Sequence, residues 1–145
     1  MSNMIIFLDI DGVLRRKGSP PDKFEGCCLN VFEKSLTELG SFSIVISSTW
    51  RLAYSLEQIR CGFCSEIRPF IIDSTPVSTG RTEFERYEEI SIWRTENRQT
   101  STPWVAIDVD ATLYPKHAPL IKVDATKGFD ETCANQLLKM YASKA

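Results

Sequence analysis

The run MIIFLDIDGV, residues 4–13, decides how this chain is read. Residues 4–8 are apolar on both faces and rich in β-branched and aromatic side chains, which predicts a buried strand of a parallel sheet. Two carboxylates follow, Asp9 and Asp11, two positions apart and therefore on one side of an extended backbone. Gly12 then allows a sharp turn. A second apolar run far down the chain, WVAIDVDA at 104–111, ends the same way on Asp108 and Asp110.

Working outward, FSIVI (42–46), PFIID (69–73), WVAI (104–107) and LIKV (120–123) read as four more strands. Helices are predicted between and after them. Residues 28–40 place Leu29, Phe32, Leu36 and Leu39 at helical spacing, with Gly40 as a C-cap. Residues 52–64 read as a weaker helix. Residues 81–96 carry Phe84, Tyr87, Ile90 and Trp93 on one stripe, and 129–144 close the chain. Alternating strands and helices imply an α/β fold, a Rossmann-like three-layer sandwich around a mostly parallel five-stranded sheet. There is no internal repeat or linker, so residues 1–145 read as one domain.

With 145 residues, 43% of them hydrophobic, the chain is long enough to bury its own core. The net charge of −2 gives no global basic field to draw nucleic acid. No apolar run approaches the roughly 20 residues of a membrane span, and the start lacks the pattern of a signal peptide. The expectation is therefore a cytoplasmic protein, monomeric or weakly dimeric, with no membrane partner. Five cysteines, an odd number, argue against a disulfide framework. CGFC at 61–64 lacks a convincing second ligand pair for zinc, Cys27-Cys28 being a poor one. His117 lies in a proline-flanked loop and reads as a surface residue.

Ligands of open α/β sheets bind beyond the carboxyl ends of the strands. Strand one ends on Asp9 and Asp11, strand two on Ser47, Ser48, Thr49, Trp50 and Arg51, strand four on Asp108 and Asp110. Capping and turn formation explain one such cluster. They explain four carboxylates at two strand ends poorly, because clustered carboxylates repel unless a cation or proton sits between them. A hard divalent cation with oxygen ligands, Mg²⁺, resolves the repulsion.

These motifs resemble those of the haloacid dehalogenase-like (HAD) hydrolase superfamily. FLDIDGV is similar to its first motif, FSIVISS to its second and WVAIDVD to its fourth. SSTWR, STP, RYEEI and VDATKGF look like a small capless branch that also occurs in multidomain RNA repair proteins. The resemblance implies a phosphatase acting through an aspartyl-phosphate, with Asp9 as nucleophile and Asp11 as general acid and base. Ser47 would hydrogen-bond the phosphoryl group, with Ser48 next in line. Gly12, Trp50 and Arg51 would stand beside the substrate. No lysine lies between Lys34 and Lys116, so Arg86, or else Arg81, takes the place of the family's third, basic motif. Asp9, Asp11 (through its carbonyl), Asp108 and Asp110 would hold Mg²⁺. Val109 separates two acids that are adjacent in many relatives. Asp124 and Lys127 are further candidates near the site.

The gaps after motifs one and two hold no cap domain, which implies an open site. Such a site suits a phosphorylated small molecule, a nucleic-acid or nucleotide end, or a phosphoprotein. RRK at 15–17 is placed to meet extra phosphates. The competing classes are a phospho-acceptor module resembling response-regulator receivers, for which Asp73 and Lys127 are the residues to watch, a Toprim-like nucleic-acid enzyme suggested by DVD at 108–110, and a degenerate hydrolase domain that binds a partner.

Overall fold

The computed structural model describes residues 3–78 and 82–144. Five strands, β1 (Met4–Leu8), β2 (Phe42–Ile46), β3 (Ile71–Ser74), β4 (Trp104–Asp108) and β5 (Leu120–Lys122), form one sheet in the order β3-β2-β1-β4-β5. All four neighbouring pairs are parallel. The order reverses direction between β1 and β4, the crevice where ligands gather in such sheets. Every residue of β1 is buried, as expected of a central strand covered on both faces.

Two cores sandwich the sheet. On one face Ile6, Leu8, Ile44, Ile46 and Ile107 pack against α1 (Gly26–Leu36), the short α2 (Leu56–Arg60) and α4 (Glu131–Lys144). On the other face Ile5, Phe7, Val45 and Ala106 meet α3 (Glu85–Glu96) through Ile90 and Trp93. Phe7 is held edge-on between Trp93 and Trp104, each with its ring centroid 5.6 Å away.

A bulge sets the edge of the sheet. Ile44 pairs with Ile71 but Val45 pairs with Asp73, so Ile72 is skipped and left exposed. The extra residue returns Asp73 and Thr75 to the α3 face. There Asp73 Oδ2 accepts a 2.8 Å hydrogen bond from Trp93 Nε1, and its Oδ1 accepts from Ser74 N.

Element boundaries differ from the sequence expectation where polar side chains compete with the ladder. Helix α1 stops at Leu36 and not at Gly40, because Ser35 and Thr37 turn their hydroxyls onto Phe32 O and Lys34 O. The helix expected over 52–64 breaks into a 3-10 turn, Thr49–Leu52, and α2. Ser55 starts α2 afresh through a capping box with Gln58. The strand expected at 69–73 begins at Ile71, since Arg68–Phe70, with Pro69, form a 3-10 turn. The helix expected from residue 81 begins at Glu85; Arg81 itself lies outside the described residues.

The cysteines are all free. No described helix is long and apolar enough to cross a membrane. His117 is exposed and rests edge-on against Tyr87.

Ile90 is fully buried between α3 and the sheet. Truncating it to alanine is expected to lower stability by about 2–5 kcal/mol, read as a lower urea midpoint at unchanged slope.

Candidate active site

The ladders continue one residue past the strands. Asp9 N donates to Ile107 O at 3.0 Å, Ser47 N to Leu8 O at 3.0 Å and Thr75 N to Ile46 O at 2.9 Å. Leu8 pairs with both Ile46 and Ile107, and Ile46 with Ser74. Thr75, Ser47, Asp9 and Asp108 therefore stand in one row across four strands, on the face that α3 covers. All four are buried. Among the described residues the Ser47 and Thr75 hydroxyls have no hydrogen-bond partner, a costly state for a buried polar atom unless something else supplies one.

Helix α3 aims its first turn at this row. Arg86 lies one turn before Ile90 and two before Trp93, and Glu89 falls on the same stripe. Arg86 NH1 donates to Asp108 Oδ2 at 3.0 Å and lies 3.7 Å from Asp9 Oδ1. Burial works against the Arg86 charge, but Asp108 and Asp9 more than offset it and raise its pKa. Asp9 feels the reverse balance. Burial first, then the neighbouring Asp108 charge, push its carboxyl up to about 8, with Arg86 pulling only part of the way back.

Asp108 is more heavily bonded than its neighbour. Its Oδ1 accepts from Val109 N at 2.7 Å and Asp110 N at 3.2 Å, and its Oδ2 accepts from Arg86 and from Tyr114 OH at 2.9 Å. Four donors fill the roughly four lone-pair sites of a carboxylate. Burial and the Asp108 charge hold the Tyr114 phenol far above its ordinary pKa, so it remains a donor.

The four acids expected to share a cation separate into two kinds. Asp9 and Asp108 converge; the carboxylates of Asp11 and Asp110 do not. Asp11 is exposed, and its Oδ1 accepts from Arg15 NH1 at 2.7 Å and Trp50 Nε1 at 3.0 Å. Its Oδ2 makes no hydrogen bond among the described residues. Asp110 is exposed and caps the 3-10 turn Ala111–Leu113, its Oδ1 accepting from Thr112 N. The Thr112 hydrogen bonds hold its carboxyl below the usual range. Val109, between the two acids, packs against Gly12: a Cβ at Gly12 would meet Val109 Cγ1 at 2.7 Å, and its φ of +81° also demands glycine.

Other expectations resolve one by one. Ser48 caps the Thr49–Leu52 turn, its hydroxyl oxygen accepting from Trp50 N. The Trp50 ring packs between Phe24 and Tyr54 and presents its N–H edge to Asp11. Arg51 is turned inward, and all five of its N–H donors have acceptors within the protein. In the RRK stretch, Arg15 also donates to Ser19 O and Pro20 O, and Arg16 pairs with Glu25. Two of the three cations thus tie down their own loop instead of awaiting phosphates. Asp124 closes a turn on Thr126.

Sequence reasoning passed over Thr75, Glu89 and Tyr114. For Glu89 the signal was available: 86, 89, 90 and 93 fall at i, i+3, i+4 and i+7, so two charges share a stripe with two core anchors. Two clefts flank Thr49. One, of about 140 Å³, is lined by Arg51, Arg86 and Glu89; the other, of about 310 Å³, by Asp11, Arg15, Trp50 and Tyr54.

The model of the family described as "HAD domain in Swiss Army Knife RNA repair proteins" matches residues 5–134. No curated protein and no solved structure matches the chain.

A carboxyl whose folded pKa lies above its ordinary value of 3.8 stabilises the fold while protonated, and that contribution is lost as the pH rises through about 8. With EDTA present, Asp9→Asn is therefore expected to melt above wild type at pH 8–9. The gap should narrow as the pH falls towards 5; thermal melts of both proteins across that range check this.

Proposed function

The chain belongs to the HAD domain family of Swiss Army Knife RNA repair proteins, and from that premise we propose that it is a phosphomonoester hydrolase working through an aspartyl-phosphate on Asp9. The observation that carries the reading is the row at the sheet edge: a buried carboxylate with an unpartnered buried hydroxyl, Ser47, on one side and the Arg86 guanidinium on the other. A phosphoryl group above Asp9 would meet a nucleophile, a neutral donor and a cation at once.

In the first step an Asp9 carboxylate oxygen attacks phosphorus and the bond to the leaving oxygen breaks. Asp11 delivers the proton that oxygen needs. In the second, water attacks the acyl phosphate, Asp11 takes a proton from it, and phosphate leaves with Asp9 restored. Arg15 and Trp50 grip one Asp11 oxygen and leave Oδ2 for the proton.

The family typically uses Mg²⁺, and the charges fit a hard cation: two buried carboxylates face one guanidinium. Asp9 and the Asp11 carbonyl would hold it, and Asp108 would join once Arg86 or Tyr114 released Oδ2. Bound there, Mg²⁺ would screen the carboxylates from the incoming phosphate and from each other. Nucleic-acid or nucleotide phosphate ends are the substrates to try first, ahead of small phosphates and phosphoproteins.

One observation favours a second reading, a domain that binds without turnover: the fourfold saturation of Asp108. The receiver-like alternative draws less support, since both Asp73 oxygens are engaged beside α3.

Hydrolysis of p-nitrophenyl phosphate with Mg²⁺, followed by a panel of 3′- and 5′-phosphorylated oligonucleotides, tests the proposal. Asp9→Asn should abolish turnover. Asp11→Asn should cost about 10²–10⁴-fold and Ser47→Ala about 10²–10³-fold in kcat. Equal rates for wild type and Asp9→Asn would sink the mechanism.

A further inference from the structure

We infer that the buried Arg51–Glu89 ion pair positions the phosphoryl-binding edge of the site. Both side chains are almost wholly covered, 6% and 5% exposed, and Arg51 NH2 lies 2.9 Å from Glu89 Oε2. The inference rests on the phosphohydrolase reading.

The guanidinium gathers the ends of two neighbouring strands. Nε donates to Thr75 O at 2.9 Å, NH1 to Ser47 O and Ser48 O at 3.2 and 3.0 Å, and NH2 to Pro76 O at 3.4 Å as well as to Glu89. Ser47 and Thr75 are also the two residues of the row whose buried hydroxyls lack a partner. One side chain therefore fixes the backbone that aims those hydroxyls.

Glu89 ties this clamp to the catalytic arginine. Its Oε2 also accepts from Ser78 N at 2.9 Å, and its Oε1 faces Arg86 Nε at 3.9 Å, one turn away on α3. Arg86 and Ser47 would grip the phosphoryl group from opposite sides, and Glu89 is the group that holds both supports. Distance matters here, since small misplacements of a positioned donor cost rate steeply.

Stability alone explains the pair poorly. Burying two charges costs desolvation that their attraction does not reliably return, and an apolar pair often does as well. Burial pulls the Arg51 pKa down in spite of Glu89, the mark of that cost. Lysine is no substitute, having three donors on a point charge where the planar fork has five.

The experiment compares Arg51→Lys and Glu89→Gln with wild type, in three readouts. Amide hydrogen exchange over residues 47–53 should quicken in both variants while β4 and β5 stay protected. The KM for p-nitrophenyl phosphate and the inhibition constant for inorganic phosphate should both rise about tenfold, the worth of one misplaced hydrogen bond to a charged group. In a Ser47→Ala background the added effect of Arg51→Lys on phosphate inhibition should shrink, because part of the clamp's action runs through Ser47. Unchanged exchange over 47–53 overturns the proposal. So does faster exchange with unaltered phosphate inhibition, or with effects that simply add to Ser47→Ala, since either outcome leaves the pair a purely structural tie. A wild-type protein that neither hydrolyses p-nitrophenyl phosphate nor binds phosphate overturns the hydrolase reading, and the exchange data then still decide whether Arg51 and Glu89 hold the loop.

Discussion

The guanidinium of Arg86 stands between two buried carboxylates, Asp9 and Asp108, at the ends of adjacent parallel strands. Parallel pairing forces this closeness, because strands lie about 4.8 Å apart and both acids occupy the same register. Unscreened, such a pair does not stay doubly ionised in a desolvated crevice. One cation from α3 removes part of the repulsion; burial, and after it the Asp108 charge, still push the Asp9 carboxyl up to about 8. A site left one positive charge short is ready for a second cation, which is the physical content of the proposed Mg²⁺ requirement.

Much of the remaining structure serves to deliver that guanidinium. Helix α3 is seated by Ile90 and Trp93 on Phe7, Val45 and Ala106. The same helical stripe, continued towards the N-terminus, carries Glu89 and Arg86 past the ends of the strands. Apolar packing thus sets the height of the charges, and the charges need no long flexible reach. The bulge between β2 and β3 contributes from the other side, turning Thr75 into the row and Asp73 under Trp93.

On the far side of Asp9 the chain after β1 folds back on itself. Arg15 bonds Asp11 and two carbonyls of its own loop, and Trp50 reaches the same Asp11 oxygen from the segment after β2. The acid proposed to move protons is thereby held from two elements while staying exposed. Gly12 makes the turn feasible, since a side chain there would strike Val109 and Ala125.

Strand positions, the α/β class and the chemistry gathered at the strand ends were legible in the residues, because side-chain periodicity and an apolar run ending in acids are local properties. β1 and β2 fall on the expected residues, 4–8 and 42–46; Asp9, Ser47 and Asp108 were singled out by their places after apolar runs, and Arg86 by the family resemblance. The partners of each polar group were not legible. Nothing local says that Arg51 spends its donors on four main-chain carbonyls and the Glu89 carboxylate, that Asp110 caps a turn while Asp108 collects four donors, or that Tyr114 is one of them. Those outcomes depend on register across strands and on the height at which α3 packs. Both are settled only when residues tens of positions apart share one crevice and each buried polar atom takes the nearest partner.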